Sequence, residues 1–148
     1  MFKRPVEVYL LCVVLLFLSL GALYGGGSLI LYPDGSRLGM QPWLNKIPFP
    51  DFLIPGIILL LFNGLLPMLA VIGLLTKPSW KWVNTINIYA DKHWSWTLSL
   101  YCGIICICWI VVQQLVTEFF VLQPVISLTG LLILVGTLMP RVMRHYTM

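Results

Sequence analysis

Asn63 lies inside a long apolar stretch, where a side-chain amide is costly to bury without a partner and is often kept for function. Pro67 follows four residues later. Its ring clashes with the carbonyl of residue 63 and supplies no N–H to bond it. With Gly64 adjacent, the spacing predicts a kink and a freed carbonyl near mid-span, a break tolerated where it faces protein or a wet cavity. Further polar groups stand toward the same end of the apolar runs: Gln113, Gln114, Glu118 and Gln123, with Asp34, Arg37 and Asp51 in a long connection. Taken together, these eight residues predict a polar ligand-binding pocket with Asn63 at its floor. The competing expectation is structural: Asn63 joins two helices by a hydrogen bond, and the others satisfy the loop and one another.

Other residue types that carry chemistry are less suggestively placed. Cys12, Cys102, Cys106 and Cys108 all fall in apolar runs, with no Cys-x-x-Cys pair and no histidine at ligand spacing. They read as small apolar side chains, with a thiol redox pair as the alternative. His93 and His145 flank apolar runs without acidic or cysteine partners and read as solvated anchors. Glu7 lies within about a turn of the first run's start, unlike the deeply buried acid of small multidrug exporters. There is no nucleotide-binding fingerprint or nucleophile elbow. No cofactor, metal or nucleic-acid partner is expected.

The elements that must position these groups are membrane spans. Of 148 residues, 59% are hydrophobic and 9% charged, against roughly 25% charged in an ordinary soluble domain. A soluble fold could not cover its surface with so few charges. Four segments hold the roughly 20 apolar residues that a spanning helix needs: 5–30, 52–75, 94–116 and 119–139. The expected fold is an all-α membrane protein, a single domain built as a four-transmembrane-helix bundle. The basic start at Lys3 and Arg4 resembles that of a signal peptide, but the apolar run is too long and lacks a cleavage site, so it is read as a retained span.

Lysine and arginine positions give an orientation. Lys3 and Arg4, then Lys77, Lys81 and Lys92 in the connection 76–93, then Arg141 and Arg144 in the tail 140–148 all fall on one side of a four-span chain. The other side holds Arg37 and Lys46, offset by Asp34 and Asp51, and Glu118. This predicts both ends in the cytoplasm. Trp80, Trp82, Tyr89, Trp94 and Trp96 cluster on that side, as headgroup-level aromatics do. Residues 78–93 are expected to form either a short interfacial helix suited to anionic lipid or a plain aromatic and basic anchor.

The connection 31–51 is long enough to be structured. Pro33, Asp34, Gly35 and Ser36 signal a turn. Leu38, Met40, Trp43, Leu44, Ile47 and Phe49 are too apolar for a free loop. A structured extracytoplasmic loop, folded as a cap over the bundle, is the expectation, with Asp51 capping the second helix. Gly21 and Gly25, four residues apart, mark a close helix contact, within the chain or between two copies.

The stretch from Pro33 to Met40, the run from Phe52 to Ile57, Asn63 with Gly64, Trp109 with Gln113, and Leu122 to Pro124 resemble a group of small uncharacterised bacterial four-span integral membrane proteins. The resemblance covers most of the chain and implies a bacterial cytoplasmic membrane, but no activity. A looser similarity to DoxX-like proteins rests on size and span count. The expected function is non-enzymatic: binding a membrane lipid, a small molecule or a partner protein through the outer-half pocket. A homo-oligomer is possible on this reading. The alternatives are a small transporter or channel subunit, and a thiol or lipid-linked membrane enzyme.

Overall fold

The computed structural model describes residues 3–148; Met1 and Phe2, which open the basic N-terminal motif, lie outside them. The described chain is helical, with no strand and one isolated backbone bridge between Lys92 and Thr147. Three helices are long and apolar enough to cross a membrane: α1 (Val6–Leu31), α2 (Leu53–Thr76) and a later helix, Trp94–Val116. Between the last two lies the single turn α3 (Lys81–Asn84), so Trp94–Val116 is α4. A shorter apolar helix, α5 (Leu122–Leu138), and the tail helix α6 (Pro140–His145) complete the chain.

α1 begins after Pro5, whose extended backbone stands just outside the helix, and Glu7 in the first turn suits the helix dipole. Its 26 residues span about 39 Å at 1.5 Å per residue, more than the roughly 30 Å hydrocarbon core. Val8, Leu11, Leu15, Leu18, Ala22, Gly26 and Leu29 form a buried stripe at three- and four-residue spacing. Yet the opposite face, with Leu10, Val13, Phe17, Leu20 and Tyr24, is apolar and exposed. A helix that is apolar all round is buried in a large core or in lipid. In a chain of this size, lipid is the remaining solvent.

In α2 the backbone widens into a π-helical segment over Leu59–Leu65, just before Pro67. A proline that withholds its N–H and crowds the preceding turn is accommodated by such a wide turn. The kink expected from Asn63 and Pro67 is therefore expressed as a π segment. The buried Ser19 hydroxyl of α1 donates to the Gly64 carbonyl at 2.7 Å, a hydrogen bond between the two helices within the π segment.

α5 starts three residues later than the apolar run predicts. Residues 118–120 are not helical. Pro124 falls in the first turn of α5, where a missing N–H costs nothing, and this fixes the helix start at Leu122. At 17 residues, about 26 Å, α5 is shorter than the other three. Met139 turns extended before Pro140, as residues before proline do.

The helices pack as α1 on α2, α2 on α4, α4 on α5 and α5 on α1, each pair running antiparallel. The small residues that permit this are not the predicted pair. Gly21 faces open space, and Gly25 makes one ordinary contact. The close approach lies between Gly26 and Gly56: a methyl carbon at Gly26 would stand 2.8 Å from the Leu60 nitrogen, and one at Gly56 would stand 2.7 Å from Leu29 Cβ. A stripe shifted by one position from the sequence motif points about 100° away on the helix.

Candidate functional site

The connection 31–51 folds back across one end of the bundle. Asp34 Oδ1 accepts from the Ser36 N–H at 3.0 Å, which keeps this exposed carboxyl below its ordinary pKa. Gly35 and Gly39 take left-handed conformations at φ 77° and 66°, and Gly35 lies over the Phe52 ring. Phe52 N–H bonds the Pro33 carbonyl at 2.8 Å, pinning the loop's two ends together. Asp51 Oδ1 accepts from Leu53 N–H at 3.0 Å, so it supplies the capping bond, although Phe52 is the residue at the helix boundary. Farther along, Trp43 stacks on Phe120 at 5.9 Å, and Lys46 faces Glu118 at 3.6 Å. The loop thus reaches from the start of α2 to the α4–α5 corner.

Beneath it lies a cavity of about 200 Å³. The loop contributes Met40, Ile47, Pro48 and Phe49; α1 and α2 contribute Leu29, Pro55 and Ile58; α4 contributes Trp109, Val112, Gln113 and Val116. Ile58 and Val112 are also exposed, so the cavity wall is continuous with the lipid-facing surface between α2 and α4. Gln113 brings the one side-chain amide to the wall. Thr117 also borders it, but its hydroxyl donates to the Gln113 carbonyl at 2.8 Å and accepts from Gln123 Nε2 at 3.0 Å.

The expected polar pocket is therefore corrected. Of the eight predicted residues, only Gln113 lines the cavity. Gln123 is 1% exposed and ties the α4–α5 corner together through Thr117 and the Glu118 carbonyl. Glu118 is exposed and faces Lys46, Gln114 is exposed, and Asp34 and Asp51 serve local turns. Arg37 lies 5.8 Å and 5.7 Å from the Tyr24 and Tyr32 ring centroids. Asn63 is 1% exposed but does not border the cavity, and neither atom of its amide has a partner among the described residues. The interhelical bond expected of it is not formed.

Polar groups are not confined to the loop end either. Ser95, Thr97, Ser99 and Thr137 are buried near the opposite end, with the Ser99 hydroxyl on the Ser95 carbonyl and that of Thr137 on the Ile133 carbonyl. His93 is no solvated anchor: it precedes α4, its Nδ1 accepting from Ser95 N–H, and burial lowers its pKa. The interfacial helix expected over 78–93 shrinks to the turn α3. Cys12, Cys102 and Cys106 are buried free thiols, and Cys108 is an exposed one.

Two sets of residues escaped the sequence reading. The apolar cavity wall left one signal, the surplus of apolar side chains in the loop. The second set is basic: Lys3, Arg4, Lys77, Arg141 and Arg144 line a single groove at the end away from the loop. In sequence they are three separate markers of orientation.

No protein-family model, curated protein or solved structure matches this chain.

Proposed function

We propose that the chain is a non-enzymatic, four-span protein of the bacterial cytoplasmic membrane, with both ends in the cytoplasm, that binds the apolar part of a membrane lipid beneath its long loop. The observation that carries this reading is the roofed cavity with a wall continuous with the lipid-facing surface. Its size narrows the occupant. About 200 Å³ exceeds the roughly 150 Å³ apolar cavity that takes up benzene. It falls below the roughly 300 Å³ at which pockets for drug-sized molecules begin. A stretch of acyl chain fits these limits, with the Gln113 amide able to meet a carbonyl near the chain's head.

The test uses vesicles that contain a phosphatidylethanolamine bearing a diazirine in its acyl chain. Irradiation is expected to label the peptide carrying Trp109 to Val116 above the lipid-facing peptide around Phe17. Val116→Phe, which places a ring at the wall, is expected to lower the first and spare the second. Equal labelling at both, unchanged in the variant, rules the site out. The topology is tested separately by reporters fused after Met148: a fluorescent protein active only in the cytoplasm should report, and alkaline phosphatase should remain inactive.

A further inference from the structure

Five of the nine lysines and arginines converge on one groove. Lys3 and Arg4 enter it ahead of α1, Lys77 from the end of α2, and Arg141 and Arg144 from α6. Positive residues at span ends need only lie on one side of a membrane; nothing in that rule brings them to a common point.

The cations are held in place mainly by neutral acceptors. Arg4 donates through Nη2 to the Leu75 carbonyl in the last turn of α2, while its Nε is buried without a partner. Lys77, in the left-handed conformation at φ 48°, donates to the His145 carbonyl at 2.8 Å and stands 4.4 Å from the Tyr146 ring centroid. Arg144 Nε reaches, among the described residues, only the Pro140 carbonyl, at 3.3 Å. Among the described residues, one carboxylate pairs with the group: Glu7, 3.2 Å from Arg141. Arg4, Lys77 and Arg144 are thus held on carbonyls, which leaves their charge largely uncompensated. The neighbouring groups register this. Lys77 and His145 both have lowered pKa values, through burial first and then through the charge of Arg4 on both and of Lys77 on His145.

We propose that this groove binds the phosphate of an anionic phospholipid from the leaflet at the basic end of the bundle. Guanidinium groups match phosphate oxygens in paired hydrogen bonds, and lysine adds point charge. The source is a lipid because Tyr9 also lines the groove. Tyr9 sits in the first turn of α1 and is 48% exposed beside Val6 and Leu10, on the face turned to lipid. A headgroup phosphate seated here would leave its acyl chains along that face. Basic pockets between spans are a recurrent seat for such headgroups. The site stands apart from the cavity under the loop and does not depend on it.

The experiment uses the full chain in phosphatidylcholine nanodiscs doped with fluorescent phosphatidylglycerol, read by energy transfer from the protein's tryptophans. Preferential transfer over fluorescent phosphatidylcholine is expected. The double variant Lys3→Gln/Arg144→Gln, both exposed positions, should weaken the preference about thirtyfold, given the attraction of about 1 kcal/mol that each basic residue contributes near a charged surface. Lys81→Gln, an exposed cation outside the groove, should leave it unchanged. Absence of any preference for phosphatidylglycerol, or equal loss in Lys81→Gln, overturns the lipid site. Binding of millimolar pyrophosphate that is lost in the double variant, with no preference for phosphatidylglycerol, would keep the phosphate chemistry but overturn the lipid as its source.

Discussion

The two ends of the bundle are built on different terms. At the basic end, aromatic side chains pack in the core and fasten it with their polar tips. Trp96 donates to the Thr137 carbonyl at 2.8 Å, Trp94 to the Pro78 carbonyl at 2.8 Å, and Tyr146 to the Leu74 carbonyl at 2.6 Å. Each bond joins elements distant in sequence. At the loop end, Trp43 and Phe120 stack at the surface, the ion pair is exposed, and a cavity remains beneath. One end has little room to yield, whereas the other has few buried contacts to lose. Regions of low contact density open at lower cost, and binding elements are drawn from them.

Substitutions can break this contrast. The largest effect is expected from Trp96→Ala, which removes a 2%-exposed ring and its hydrogen bond. The loss should be about 3–5 kcal/mol in reversible unfolding from detergent micelles. Trp43→Ala at the loop end should cost well under half as much, and equal losses would dissolve the distinction. Next comes Asn63→Leu. Both amide atoms are buried without partners, so an apolar side chain of similar size should raise stability by about 1–3 kcal/mol. A drop would mean that the amide is satisfied in the membrane-embedded protein.

Acidification sharpens the comparison further. His93 and His145 both have folded pKa values below the ordinary 6.5, chiefly through burial. The unfolded chain therefore takes up protons first as pH falls. Their contribution is whole above about pH 6.5 and is lost as pH drops through the lower folded values. Thermal midpoints should fall over that window, and the fall should shrink in His93→Gln, because both groups belong to the basic end. The smallest effect is expected from Lys46→Gln. Its partner Glu118 is exposed, and such pairs contribute about 0–1 kcal/mol; a larger loss would make the loop a locked element.

Much of this architecture could be read from the sequence, because long apolar runs report directly on the solvent they require. Three helices begin and end within a residue of expectation. α5 does not, because Phe119, Phe120 and Val121 suit a span by composition, and hydropathy is blind to where Pro124 must sit. The folded loop was also legible, since its apolar side chains needed somewhere to go. The site was less so. Gln123 and Asp51 looked like ligand groups because their local partners, the corner carbonyl and the next turn's N–H, are backbone atoms that no side-chain motif displays. The basic groove unites positions 3, 77 and 144, a juxtaposition that exists only after the helices have paired.

The π segment of α2 carries one more consequence. A wide turn holds one residue more than the regular helix needs, so it acts as a phase shift between two half-helices. Below it, Gly73 faces Trp94; above it, Gly56 faces Gly26. Deleting one residue within Leu59–Leu65 would let the segment rewind as regular helix with Gly56 and Gly73 both near their seats. Rewinding with no residue removed would swing the upper half by about 100°, and Gly56 would leave its seat while Gly73 kept its own. The two ends of this span are thus indexed independently, and the loop end can be re-aimed without disturbing the other.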